Sequence, residues 1–253
     1  NMFRNILIVL TFIGIWQLIV LIFVVPDYLL PAPSRVSQAF IENFYNIFIS
    51  SLITLTEALI GFFVANLISV SIAIFIVFNP NWENGLMSVA IVIKTLPIIA
   101  LAPLLVIWFG SGLASKAMAA MLVCFFPSLV NILGGVKALD QKLFWLFKVY
   151  TADRWQLVRF FIFPSILPYL FAALKTSSSL AVVGALVGEF IGANRGLGFL
   201  IVSNYYNMNT PLVFAAILTS SLIGVVFYYT INLFEERFIF YQRRVSGVEI
   251  RNI

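Results

Sequence analysis

LFKVYTADRWQLVRFFIFPSILP, residues 146–168, carries Lys148, Asp153, Arg154, Gln156 and Arg159 and closes on Pro164 and Pro168. Apolar runs near 20 residues long lie on either side. A polar, basic, proline-ended segment between such runs is a chain that leaves a bilayer and re-enters it. The whole chain is 62% hydrophobic and 10% charged, against about 25% charged in an average soluble domain. This is the composition of an all-α polytopic membrane protein, and its 253 residues are expected to form one transmembrane domain, 1–253.

Working outward from that segment, apolar runs predict six spans, at 6–25, 50–78, 86–109, 115–136, 166–190 and 211–235. Helix is the conformation available to runs of this length, because an open strand leaves its backbone unpaired in lipid. Helix breakers fall between the runs: Pro26, Pro31 and Pro33, then Asn79-Pro80-Asn81, Gly110-Ser111-Gly112, and Gly192 to Gly198. The first run, Ile6 to Val25, has the length of a span rather than of a signal-peptide core, and no small-residue cleavage site follows it, so it is expected to be the first helix.

Six spans place both termini on one side. That side then holds ten basic residues: Arg4, Lys137, Lys142, Lys148, Arg154, Arg159, Arg237, Arg243, Arg244 and Arg251. The other holds Arg35, Lys116 and Arg195, with Lys94 and Lys175 inside spans. The excess marks the first side, and the loop at 137–165 with it, as cytoplasmic.

Several function classes are excluded. The net charge of +5 is accounted for by membrane orientation and makes no case for nucleic acid. Cys124, the single cysteine, has no partner for a disulfide, and the chain has no histidine, which removes zinc and His-based catalysis. GSGLASK, 110–116, has serine where a phosphate loop needs its second glycine, and GANRGLG, 192–198, follows no strand, so neither is a nucleotide motif. The latter reads instead as a short re-entrant gate. A secondary carrier would require inverted repeats and paired acids near the midplane, and neither is evident.

The loop itself is amphipathic. Leu143, Leu146, Phe147 and Tyr150 lie on one face of a short helix, Thr151-Ala152-Asp153 interrupts, Thr151 or Asp153 caps the next helix, and Pro164 and Pro168 are expected to end it. Two readings fit: an interfacial helix resting on headgroups with Trp145 and Trp155 in the aromatic belt, or a docking surface for a soluble partner.

Within the spans, Pro97 and Pro103 of KTLPIIALAPLL predict a bent helix. Lys94 either faces a cavity or snorkels to the boundary. Thr176, Ser177, Ser178 and Ser179 either line a path or allow close helix packing. Glu57 and Glu189 are the remaining charges in apolar surroundings: Glu189 reads either as part of an outer gate or as a contact for an external partner, and Glu57 as easily as a residue of the membrane interface, since span two begins close to it.

The stretch VKALDQKLFWLFKVYTADRWQLVRFFIFPSILPYL, 136–170, resembles the cytoplasmic loop of permease subunits of bacterial ATP-binding-cassette importers, within the branch for nitrate, taurine, alkanesulfonates and related solutes. Trp145, Leu146 and Phe147 stand where that family has Glu-Ala-Ala, Thr151 at its glycine, and Phe161, Phe163 and Pro164 at its Ile, Leu and Pro. LPAPSRV (30–36), KTLPIIALAPLLVIWFGSGLASK (94–116) and GEFIGANRGLGFLI (188–201) resemble further family segments in the same order.

The resemblance implies a pore-forming, non-enzymatic subunit of the bacterial plasma membrane, dimerised with a second copy. Two partner subunits would bind ATP and Mg, an external binding protein would deliver solute, and this chain would hold no metal or cofactor. The loop becomes a coupling helix contacting the ATPase through Phe144, Phe147, Lys148, Tyr150, Thr151, Ala152 and Arg154. Lys94, Pro97, Pro103, Thr176, Ser178 and Ser179 would line the path, and Glu189, Asn194 and Gly196 the outer gate. The implied solute is a small anion such as nitrate, a sulfonate or bicarbonate, with a pyrimidine, thiamine or flavin precursor as the alternative.

Overall fold

A computed structural model describes residues 2–150 and 153–238. Thr151 and Ala152 of the coupling loop lie outside the described residues, as do the side chain of Lys148 and Arg243, Arg244 and Arg251. The described secondary structure is helical throughout: α1 (Met2–Ile22), α2 (Pro33–Glu42), α3 (Phe44–Phe78), α4 (Glu83–Thr95), α5 (Ile98–Phe109), α6 (Leu113–Lys137), α7 (Gln141–Tyr150), α8 (Arg154–Leu157), α9 (Phe163–Glu189), α10 (Leu197–Tyr206) and α11 (Thr210–Phe238).

Among the described residues, α3, α6, α8 with α9, and α11 are long and apolar enough to cross a bilayer, and α4 with α5 makes a fifth crossing bent by 96°. The expected count was six. Of the expected first run, 6–25, α1 carries the part up to Ile22. The chain then leaves the helix at Phe23, with Val24 at positive φ (48°) ahead of Pro26. The 35 residues of α3 extend about 52 Å at 1.5 Å per residue, well beyond a hydrocarbon core of ~30 Å. Its first turns, at Ile47, pack with α2, α10 and α11.

Proline acts differently at each site. At Leu96-Pro97 the chain turns extended (ψ 126° and 106°) and the third span breaks into α4 and α5. Pro103 is carried inside α5. Pro164 and Pro168, expected to end the loop helix, do not: helix runs through them from Arg154 to Glu189 over 36 residues. A π turn at Val158–Ile162 lies just before Pro164. It widens the ladder at Phe160, whose carbonyl lies four residues before Pro164 and would otherwise meet its ring. The next helix is capped by Asp153, whose Oδ1 accepts from the Trp155 amide at 3.2 Å.

The core is the junction of α3, α6 and α9, with α11 packed on α9. Small residues allow it, as is usual where lipid offers no hydrophobic drive between helices. Ala58, Ala65, Ala120, Ala173, Ala181 and Ala185 are fully buried. A Cβ on Gly61 would lie 2.5 Å from the Ala117 carbonyl oxygen, and one on Gly184 would lie 2.6 Å from the Ala120 Cα, so α6 touches both neighbours backbone to backbone. Short polar contacts stitch the same seam: Asn66 Nδ2 donates to Ser177 Oγ at 3.1 Å, and Ser69 Oγ to the Phe125 carbonyl at 3.3 Å.

Helices α2, α10 and α11 form a smaller cluster through Val36, Ala39, Leu197, Leu212 and Ala216. It sits at the end of the molecule that holds the Arg35–Asp27 pair (3.7 Å). The opposite end holds Lys137–Glu83 and Lys175–Glu235, each at 2.6 Å.

Candidate functional site

Three places gather the residues singled out in the sequence. The first is the polar loop. Phe147 stacks on Phe161 of the π turn (5.2 Å, 26°), and Phe144 approaches the same ring at 6.4 Å. Both are partly buried against the main core. The Arg154 guanidinium lies 5.5 Å over the Phe78 ring at the end of α3. On the other side of α7, Leu146 (50%), Val149 (80%) and Tyr150 (81%) are exposed. So Phe144, Phe147 and Arg154 tie the loop to the membrane helices, while Leu146, Val149 and Tyr150 form its open apolar surface. Helical periodicity groups Phe147 with Tyr150 and cannot separate these roles.

The second place is the break between α4 and α5. It opens a cavity of about 260 Å³ against α6 and α9, lined by Lys94, Leu96, Leu101, Phe126, Pro127 and Leu180 among others. Lys94 stands in the last turn of α4, where the carbonyl end of a helix favours a cation. Its Nζ is 4.5 Å from the centroid of the Phe126 ring. Eleven residues separate it from Glu83 at the start of α4, about 16 Å along the axis, roughly half the hydrocarbon thickness. Pro97 is exposed beside the break and Pro103 is exposed on α5.

The span-five hydroxyls lie elsewhere. Ser177 and Ser178 are fully buried, and Ser178 Oγ donates to the Lys175 carbonyl. Ser179 Oγ donates to the Gly224 carbonyl at 3.4 Å, and Thr176 is exposed with its hydroxyl on the Ala172 carbonyl. The Ser177 carbonyl accepts from Cys124 Sγ at 3.2 Å.

The third place is the C-terminal end of α9. Glu189, 1% exposed, accepts from Thr54 Oγ1 at 2.6 Å and from the Gly198 amide. Thr54 Oγ1 in turn accepts from the Leu197 amide at 2.9 Å. Gly196 has φ +104°, and a Cβ there would overlap the Glu189 carboxylate, so the turn after α9 closes over that side chain. Glu57 (4% exposed) and Lys116 (1%) complete the group, with Lys116 Nζ donating to the Ser111 carbonyl at 2.5 Å.

Glu57 and Lys116 also line a cavity of about 440 Å³ with Thr56, Ser111, Asn194 and Arg195. Of the residues expected at the gate, Glu189 and Gly196 are thus brought into contact, and Asn194 lies on the adjacent wall. Thr54 and Lys116 were not anticipated there, although a Lys and two Glu in apolar runs were a legible signal.

Among the described residues, no group of three or more His, Cys, Asp or Glu side chains is placed to hold a metal. Residues 58–240 match the family described as binding-protein-dependent transport system inner membrane component. The chain is 33% identical over 222 residues to the riboflavin transport system permease protein of Chloroflexus aurantiacus, covering 87% of this chain and 83% of that one. It is 33% identical over 209 residues to the formylaminopyrimidine transport permease protein of Halalkalibacterium halodurans, covering 82% and 84%. It is 27% identical over 246 residues to a putative aliphatic sulfonates transport permease protein of Bacillus subtilis, covering 96% and 89%.

A helical bundle without nucleotide motifs, with an aromatic loop tied to its spans, is what a permease needs when its ATPase and its binding protein are separate chains. With the family match over most of its length, this chain belongs to the inner-membrane permease subunits of binding-protein-dependent ABC transporters, multi-pass proteins of the plasma membrane that are not themselves ATPases.

Proposed function

We propose that this permease forms the pore of an ATP-driven importer as a homodimer, with six spans per copy, both termini cytoplasmic and two ATPase subunits below. The basic bias of the loop side supports the orientation. Placing Lys137–Glu83 and Lys175–Glu235 at one end and Arg35–Asp27 at the other agrees with it. Leu146, Val149 and Tyr150 dock the ATPase, as do Lys148, Thr151 and Ala152, their neighbours in sequence. Phe144 and Phe147 pass the displacement through Phe161 to α9. Glu189, Asn194 and Gly196 form the outer gate. Ser178 and Ser179 belong to the seams beside the path, where their hydroxyls let α9 pack closely, whereas Thr176 lies on the exposed face of α9.

The observation that carries the substrate reading is Lys94 on the cavity at the broken span. One cation among Leu, Ile, Phe and Pro walls suits an organic anion: a sulfonate-like head on the ammonium with its carbon part against Leu101 and Leu180. Nitrate or bicarbonate would leave those walls uncontacted. A planar heterocycle, such as a pyrimidine or flavin precursor, is the second reading. It is favoured by the Phe126 ring and by the names of two relatives.

The test is uptake by proteoliposomes holding the permease, its ATPase and its binding protein, with an alkanesulfonate, riboflavin and a formylaminopyrimidine as competing solutes. ATP-dependent uptake of the sulfonate, lost in Lys94→Met, is expected. Uptake persisting without the ATPase would overturn the importer reading in favour of an ion-driven carrier.

A further inference from the structure

Hydrogen-bond accounting at the outer end of α9 leaves one donor to be found. Glu189 is supplied with two, the Thr54 hydroxyl on one oxygen and the Gly198 amide on the other. Glu57, 96% buried, is supplied with none: its Oε2 is enclosed without a donor, and its carboxyl group is the hydrogen-bond neighbour of Glu189. The charged groups facing the pair are Lys116 from α6, held to the Ser111 carbonyl and not within ion-pair distance of either acid, and Arg195 on the wall of the same cavity.

Two ionised carboxylates in contact here would leave a buried acceptor unsatisfied beside a like charge. A carboxylic acid differs from a carboxylate in owning one O–H to donate. We infer that Glu57 is the carboxylic acid of the pair, that it donates its O–H to Glu189, and that this bond seats the turn 190–198 on α3. Glu57 is then a positioning residue of the outer gate. It acts through Glu189, which holds the turn at Gly198 directly and at Leu197 through Thr54.

The donor assignment stands on the enclosed Glu57 oxygen and on the two donors already spent on Glu189, whereas the gate role rests on the importer reading above. Glu57→Gln keeps a donor, its amide, while Glu57→Ala removes it. In the assembled transporter, the infrared difference between wild type and Glu57→Gln is expected to contain the carbonyl band of a protonated carboxyl that shifts in D2O. Cys124 is fully buried, so a thiol introduced as Ala193→Cys reports the turn. Its labelling is expected to quicken on the order of tenfold with Glu57→Ala, as loss of a hydrogen bond to a charged group implies, and to stay within about twofold of wild type with Glu57→Gln.

Absence of the band overturns the inference. So does labelling in Glu57→Gln as fast as in Glu57→Ala. If Glu57→Ala does not assemble, the band and the Glu57→Gln labelling rate decide alone. Undiminished solute uptake in Glu57→Ala despite faster labelling removes the gate role and leaves the hydrogen bond standing.

Discussion

Replacing Phe147 and Tyr150 one at a time separates the two faces of α7. Phe147 stacks on Phe161 and is partly buried, whereas Tyr150 is 81% exposed. A fully buried Phe→Ala costs about 3–5 kcal/mol, so a half-buried ring stacked on Phe161 should cost about 2 kcal/mol. Phe147→Ala is therefore expected to loosen α7 from the π turn and lower the thermal midpoint of the isolated permease by several degrees. ATP turnover would continue while solute moved per ATP falls. Tyr150→Ala removes an interface aromatic of the kind worth about 2 kcal/mol or more in binding, roughly a 30-fold weaker ATPase association at 1.4 kcal/mol per decade. The midpoint of the permease itself should not move. The assay is a titration of nanodisc-embedded permease with labelled ATPase subunit, paired with thermal unfolding of the permease alone. If Phe147→Ala weakens ATPase binding and spares stability while Tyr150→Ala does the reverse, α7 presents the opposite face and the division of roles proposed here is wrong.

Lys94→Met should abolish uptake with the ATPase and binding protein still associated, and Lys94→Arg should keep a measurable rate; wild-type kinetics in Lys94→Met would return the side chain to the membrane boundary. Gly61→Val puts a side chain into the Ala117 carbonyl, a backbone clash expected to cost 3 kcal/mol or more and to appear as loss of monodisperse protein in size-exclusion chromatography. Lys175→Met strands Glu235, whose side chain is 24% exposed; between the surface and buried limits this costs about 1–2 kcal/mol, read as a lowered thermal midpoint that Lys175→Met/Glu235→Gln restores. Gly196→Ala, barred by both φ and the Glu189 carboxylate, should reduce uptake more than Gly192→Ala, which shares a positive φ (70°) but whose Cβ meets the Val106 methyls at 3.4 Å rather than a carboxylate.

Class, span regions and the polar loop were legible because they are set by local composition: a bilayer admits helices of a certain length and little else. The bend at Pro97 was legible for the same reason. The course of the chain through Pro164 was not, since whether a proline ends a helix depends on whether the preceding turn can widen, and here the π turn does so under Phe144 and Phe147. The helices α2 and α10 were not legible, because at ten residues each they are too short to register as spans.

By itself the sequence determined that this protein lives in a membrane, that its basic loop belongs on one side, and that it lacks the groups to hydrolyse ATP; these follow from residue type counted along the chain. Tertiary structure alone decided that Phe147 points inward while Tyr150 points outward, and that Lys94 overlooks a cavity. It also decided that Glu57, Lys116 and Glu189, far apart in the chain, share one enclosure. Those facts depend on how closely α3, α6 and α9 approach, and that approach is set by pairs such as Gly61 with Ala117 whose meeting no local pattern encodes.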